Sequence, residues 1–208
     1  MSLRLHNSLS DQKEDFVPLR EGRVTLYVCG PTVYNDSHLG HAKTYVSFDV
    51  ILRYLKYRGF STFYVQNITD VGHLMGDADE GEDKMLKRAR ELELEPMAVA
   101  ETYTTRHFQA MDRRGVIRPD ICPRATGHIP EQLEAIEKMI EAGLAYEVNG
   151  SVYFDVSKDP EYGKLSNRSF EEMQEGARVE VRQEKRNPQD LSLIHISEPT
   201  RQAEISYA

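Results

Sequence analysis

The chain has 208 residues, a net charge of −8, and 39% hydrophobic against 29% charged residues. That composition supports one ordinary core and excludes a disordered chain, and no window approaches the roughly 18 apolar residues of a membrane helix. The acidic balance argues against a chain whose main task is gripping nucleic acid, because phosphate contacts need clustered Lys and Arg. Only Cys29 and Cys122 are present, too few for a disulfide framework, so a reducing cytoplasm is the expected setting. Met1–Asn7 is followed by no apolar block, and no secretory signal is expected.

In chain order, Val24–Cys29 (VTLYVC) is a short β-branched and aromatic run that stops at Gly30-Pro31. It predicts a buried strand. His41–Arg58 has helical spacing, with Tyr45, Phe48, Ile51, Leu52 and Leu55 on one face and Gly59 as the terminating residue. Ser61–Asn67 (STFYVQN) predicts a second strand. Strand, helix and strand over this distance make a βαβ unit and a parallel sheet. Lys84–Leu94 and Pro96–Arg114 read as helices broken at Pro96, and Asp120–Ala125 as a short third strand interrupted by Pro123. Pro130–Ala142 reads as a helix ending at Gly143. Val148–Val156 reads as a hairpin turning on Asn149-Gly150. Gly163–Arg186 is polar and reads as loop and exposed helix.

The first strand–helix junction concentrates the chemistry. The strand ends at Cys29, and His38 and His41 stand three residues apart where the helix begins, so they share a face. A helix N-terminus offers unpaired N–H groups and a positive dipole end, which suits phosphate. Two imidazoles there can donate hydrogen bonds to phosphate oxygens, and Gly40 between them leaves room for a flat base. The arrangement suits electrostatic stabilisation of a phosphoryl centre in transfer. Neither a GxxxxGK[ST] loop nor a GxGxxG fingerprint occurs.

Several motifs extend this junction. HLGH at His38–His41 resembles the HIGH signature of class I aminoacyl-tRNA synthetases. YVCGPTVY before it, FDVILRYLKYRG and YVQNITDVG after it, then EGEDK, PRATGHI and NGSVYFDV, resemble the cysteinyl-tRNA synthetase family in order from Leu3 to Asp190. The resemblance implies an α/β fold: a Rossmann-like class I catalytic domain with a parallel sheet, present as its first half plus the start of the connective insertion. It places the first half at 1–147 and the start of the insertion at 148–190.

By that resemblance, ATP activates L-cysteine to cysteinyl-adenylate, and the cysteinyl group passes to tRNA(Cys). His38 and His41 would stabilise the ATP phosphates as catalytic residues. Thr32 and Gly40 would join them in binding ATP with its magnesium. Gly30 and Thr69 would lie near the cysteine substrate. Cys29 would be a zinc ligand, and zinc separates cysteine from serine because it holds a thiolate far better than a hydroxyl. The remaining zinc ligands, the KMSKS lysine loop and the tRNA-gripping parts follow, in the family, beyond the point matched by Asp190. This chain is therefore expected not to aminoacylate tRNA alone. A cytoplasmic monomer without membrane contact is expected.

Other residues carry blander expectations. Cys122 reads as a core or loop thiol, and His107 and His128 as structural histidines, although Arg124–His128 sits near the next strand–helix junction. His73 is assigned no role. Asp77, Asp79 and Glu80 suggest a calcium loop only superficially, since the glycine comes one position early and the twelfth position is Arg88. Leu191–Arg201 resembles a sequencing-library transposon adapter translated in frame, and Ile205–Ala208 its outer part. Residues 191–208 are accordingly expected to be foreign, with His195 no ligand. Three rival readings stay open: the related cysteine ligase of amino-sugar thiol (mycothiol) biosynthesis, a small adenylyltransferase sharing the H-x-G-H helix start, and a non-catalytic gene fragment with weak ATP or zinc affinity.

Overall fold

The computed structural model describes residues 2–71, 84–166 and 184–194. His73, the acidic stretch around Asp77, most of EGEDK, most of the polar segment after Gly163, and the tail from His195 onward lie outside the described residues. The chain divides into two units: one comprises 16–76 and 81–129, the other 1–15, 77–80 and 130–208.

The first unit holds the βαβ element. Its strands pair in parallel, with Val24 opposite Thr62 and Val28 opposite Gln66. They are β3 (Arg23–Val28) and β4 (Ser61–Gln66), numbered after an N-terminal hairpin in the other unit. Between them runs α1 (Leu39–Tyr57), which buries Ala42, Tyr45, Leu52 and Leu55. Phe48 is half-buried and Ile51 sits on the rim. The expected stripe is thus real but narrower than its apolar composition.

β3 departs from the buried strand expected of VTLYVC. Only Val24 and Val28 are fully buried, and Tyr27 is 58% exposed. Among the described strands β3 pairs with β4 alone. One face carries the packing and the other meets solvent, so burial alternates with the strand period of two.

Asp120–Ala125 follows the other side of β4. Asp120 N–H donates to the Tyr64 carbonyl at 2.8 Å, Gln66 N–H to Ile121 at 3.1 Å, and Ile68 N–H to Pro123 at 2.8 Å. Val65 and Ile121 form a parallel bridge, as do Ile68 and Arg124. The segment runs as a third extended element but not as a continuous strand, because Pro123 has no N–H to give the ladder.

Helices α2 (Lys84–Leu92) and α3 (Pro96–Asp112) complete the unit. Pro96 opens α3, where its missing N–H costs nothing. Two apolar clusters hold these parts. Val33, Ile68, Met85, Ala89, Val99, Ala100 and Tyr103 form one, with Cys122 packed against it. Val28, Tyr45, Leu52, Tyr64 and Met111 form the second.

The other unit contains an N-terminal hairpin, β1 (Arg4–Asn7) and β2 (Gln12–Asp15), paired antiparallel and wholly exposed. Its polar sequence gives no apolar alternation, which is why pattern reading passes over it. Asp11 takes φ 54° in its turn. Helix α4 (Ile129–Glu141) precedes the expected hairpin of β5 (Ala145–Val148) and β6 (Ser151–Phe154). Asn149 at φ 52° and Gly150 at φ 81° make the turn. Tyr146 and Asp190 tie the segment 184–190 to this hairpin: the Tyr146 hydroxyl donates to Asp190 Oδ2 at 2.6 Å and accepts from Arg186 N–H at 2.8 Å. Leu191–Ile194 forms β7, antiparallel to β6. A free edge of β6 accepts any short β-prone run, so this pairing bears on neither a native nor a foreign origin of residues 191–208.

Candidate functional site

The chain beyond β3 and the chain beyond β4 run together. Thr32 and Thr69 form a parallel bridge, with Val33 N–H donating to the Thr69 carbonyl at 3.2 Å and Thr69 N–H to Pro31 at 3.1 Å. The strand ends therefore bring Cys29, Gly30, Thr32 and Thr69 to one edge, as expected of the C-terminal side of a parallel sheet.

Asn67, which the sequence reading missed, organises this edge. Its Oδ1 accepts from Gly30 N–H at 2.8 Å and from the Tyr27 hydroxyl at 2.9 Å, and its Nδ2 donates to Thr69 Oγ1 at 3.2 Å. The backbone is equally close: a Cβ on Gly30 would lie 1.5 Å from the Asn67 carbonyl oxygen. Only glycine fits. A polar residue directly following an apolar strand was the available signal. Behind this edge Asp70, buried, accepts from Thr126 N–H at 3.0 Å and Thr126 Oγ1 at 2.6 Å. Arg124 pairs with Glu101 at 2.7 Å, and His128 is exposed.

The two histidines build the start of α1. His38 is the N-cap; its Nδ1 accepts from Gly40 N–H at 3.0 Å, while His41 Nδ1 accepts from His38 N–H at 3.2 Å. This is a capping box made of imidazoles. The rings lie 4.0 Å apart between centroids. In a neutral imidazole only one nitrogen carries the proton. With both Nδ1 atoms accepting, both Nε2 atoms are donors. His41 is held below the ordinary histidine range, first by desolvation and then by the neighbouring His38, which favours that neutral form. No acidic side chain occupies the first turn of α1, so the positive end of the helix dipole is left for an external anion.

Gly40 has a local role the sequence reading did not foresee. A Cβ there would stand 2.8 Å from His38 Cε1 and 3.0 Å from His38 Nδ1. Its bare backbone lets the His38 ring fold back onto the helix end.

Tyr45, one turn beyond His41, joins the two halves of the edge. Its ring is parallel to His41, 8° between planes at 6.5 Å, and its hydroxyl donates to the Cys29 carbonyl at 3.3 Å. Burial, then the neighbouring Tyr64 and Cys29, push its phenol well up, so it stays protonated as a donor. Cys122 is half-buried with its thiol pushed up by desolvation, consistent with a packing role.

Cys29 is exposed. Among the described residues no group of three His, Cys, Asp or Glu side chains could hold a metal ion. A structural or catalytic zinc needs at least three protein ligands, so the described residues do not by themselves fit a zinc site; Cys29 is one thiol available to one. Among the described residues no helix is long and apolar enough to cross a membrane.

The family described as tRNA synthetases class I (C) catalytic domain matches residues 15–207. A cysteine–tRNA ligase of Chlorobaculum tepidum is 56% identical over 203 residues, covering 95% of this chain and 42% of that protein. One from Thermus thermophilus is 54% identical over 199 residues, covering 96% of this chain and 42% of its own length. The chain thus spans about two fifths of the length of these relatives. Among solved structures, a LeuRS–tRNA–LeuAMS ternary complex from Agrobacterium radiobacter superposes with a TM-score of 0.50 at 20% identity, over 68% of this chain and 18% of that one; at that identity the likeness concerns the fold alone. A parallel βαβ edge, an imidazole-capped helix start and a match over most of the sequence agree: the chain belongs to the family of class I (C) tRNA synthetase catalytic domains.

Proposed function

We propose that this chain carries the ATP-phosphate half of a cysteine–tRNA ligase active site. In the complete reaction the cysteine carboxylate attacks the α-phosphate of ATP, pyrophosphate leaves, and cysteinyl-adenylate then acylates tRNA(Cys). The observation that carries the proposal is the reciprocal cap of His38 and His41, which engages both Nδ1 atoms and leaves both Nε2 atoms outside the cap, at a helix whose first turn holds no acidic side chain. Imidazole N–H donors stabilise charge developing on phosphate oxygens without moving a proton. Thr32, and Gly40 between the two histidines, would join this pair in binding ATP. Gly30 and Thr69, held by Asn67, form the wall at which cysteine would sit.

Cys29, at the end of β3, is a single candidate zinc ligand. In this proposal residues 1–147 are the first half of the catalytic domain, 148–190 the start of an insertion and 191–208 foreign, in a cytoplasmic monomer. A long genomic read through the tail decides the last point: an uninterrupted match to Ala208 would refute it.

The test of function is an ATP titration of the purified chain, followed through ¹⁵N imidazole resonances. The His38 and His41 Nε2 signals should move together while His128 stays still. No movement of either would overturn the reading. Cysteine-dependent ATP–pyrophosphate exchange should be undetectable, because the described residues do not complete a substrate-selecting metal site; appreciable turnover would refute that part.

A further inference from the structure

His107 lies on α3, far in sequence from the signature region, and is 3% exposed. Its Nδ1 is 2.8 Å from Ser37 Oγ, the residue immediately before the His38 cap. Its ring meets Tyr45 edge-on, 5.2 Å between centroids at 76°, and Tyr45 in turn lies parallel to His41. Its Nε2 is buried without a hydrogen-bond partner. Phenylalanine could supply the same ring contacts and would bury no orphaned nitrogen. What the imidazole adds is the bond to Ser37.

We propose that His107 is a positioning residue for the His38–His41 pair. It acts along two routes. Through Ser37 it fixes the backbone entering α1, and with it the His38 cap. Through Tyr45 it fixes the ring against which His41 rests. Both routes end on the His38–His41 pair, so α3 sets how those two rings are held. The function this serves rests on the phosphate role proposed above, but the positioning itself is readable without ATP.

The experiment uses the full chain in four forms: unsubstituted, His107→Phe, His107→Asn and Ser37→Ala. Asparagine places a polar atom near the position of Nδ1 and is the conservative variant. The first readout is the ¹⁵N tautomer pattern of His38 and His41 without ligand. The unsubstituted chain should show both rings as Nε2–H. His107→Phe and Ser37→Ala should shift His41, His38 or both toward averaged tautomers, and His107→Asn should restore the original pattern. The second readout is ATP affinity, expected to fall about tenfold in the first two variants and to recover to within roughly threefold in His107→Asn.

If His107→Phe and Ser37→Ala both keep the original tautomer pattern, the positioning role is overturned whatever happens with ATP. If the pattern shifts as expected but no form binds ATP, the positioning stands and the phosphate reading fails. Should His107→Phe not fold, Ser37→Ala removes the same bond from a half-buried site and decides alone.

Discussion

Replacing Gly30 by alanine tests a close backbone approach in the candidate site. The added Cβ would lie 1.5 Å from the Asn67 carbonyl oxygen and 2.6 Å from its carbonyl carbon. Real Cβ contacts essentially never fall under 3.0 Å, so the chain beyond β3 must part from the chain beyond β4 by about 1.5 Å. Three hydrogen bonds cross that gap: Gly30 to Asn67 Oδ1 at 2.8 Å, Thr69 to Pro31 at 3.1 Å and Val33 to Thr69 at 3.2 Å. Such a separation takes all three out of bonding range. At roughly 1 kcal/mol each the loss is about 3 kcal/mol. For a chain of this length that lowers Tm by roughly 6–12 °C. Urea unfolding of Gly30→Ala against Gly127→Ala, whose Cβ would meet nothing within 4 Å, is the assay. The Gly127 variant should stay within about 0.5 kcal/mol of the unsubstituted chain. A Gly30 variant equally mild would show that the two strand ends do not run as closely as described.

Three further outcomes follow from particular side chains. Burial, then His41 and Arg118, hold His107 down to about 4. Between that value and the ordinary 6.5 the unfolded chain takes up a proton that the folded one refuses, so its contribution to stability is complete above pH 6.5. It is lost progressively as pH falls to about 4, by roughly 2–3 kcal/mol. Urea midpoints measured from pH 7.5 to 4.5 should therefore slope less steeply in His107→Phe, and identical slopes would contradict a buried neutral imidazole. Gly40→Ala displaces the His38 ring, losing a cap worth about 1 kcal/mol, while alanine regains about as much in helix propensity. Its unfolding midpoint should hardly move while the His38 ¹⁵N tautomer signal changes; an unchanged signal would argue against the cap. Tyr146→Phe leaves the buried Asp190 carboxylate short of its donor at 2.6 Å. It should cost about 2 kcal/mol and speed proteolysis near Arg186, whereas unaltered cleavage would show that the segment 184–190 is held by other contacts.

The helices and strands that carry the site were legible because their signals are local. The apolar spacing of α1, proline at the start of α3 and Asn149-Gly150 between β5 and β6 each encode their element within a few residues. The H-x-G-H start of α1 was legible for the same reason, since a cap and its partner lie three residues apart. The exposed N-terminal hairpin escaped because it buries nothing and so leaves no apolar pattern. The third strand was half right: the pairing beside β4 is there, and the proline that interrupts it was already visible.

Cys29, Gly30, Thr32, His38, Gly40, His41 and Thr69 could all be named from the linear chain. The residues that hold them could not. Asn67 reaches back 37 positions to Gly30, and His107 reaches back 70 to Ser37. Neither contact has a period or a spacing, because each exists only once β4 lies beside β3 and α3 lies against α1. The sequence by itself named the groups proposed to meet a phosphate, because their signature is local. The tertiary structure alone decided why Gly30 admits no side chain and which buried ring stands behind the pair.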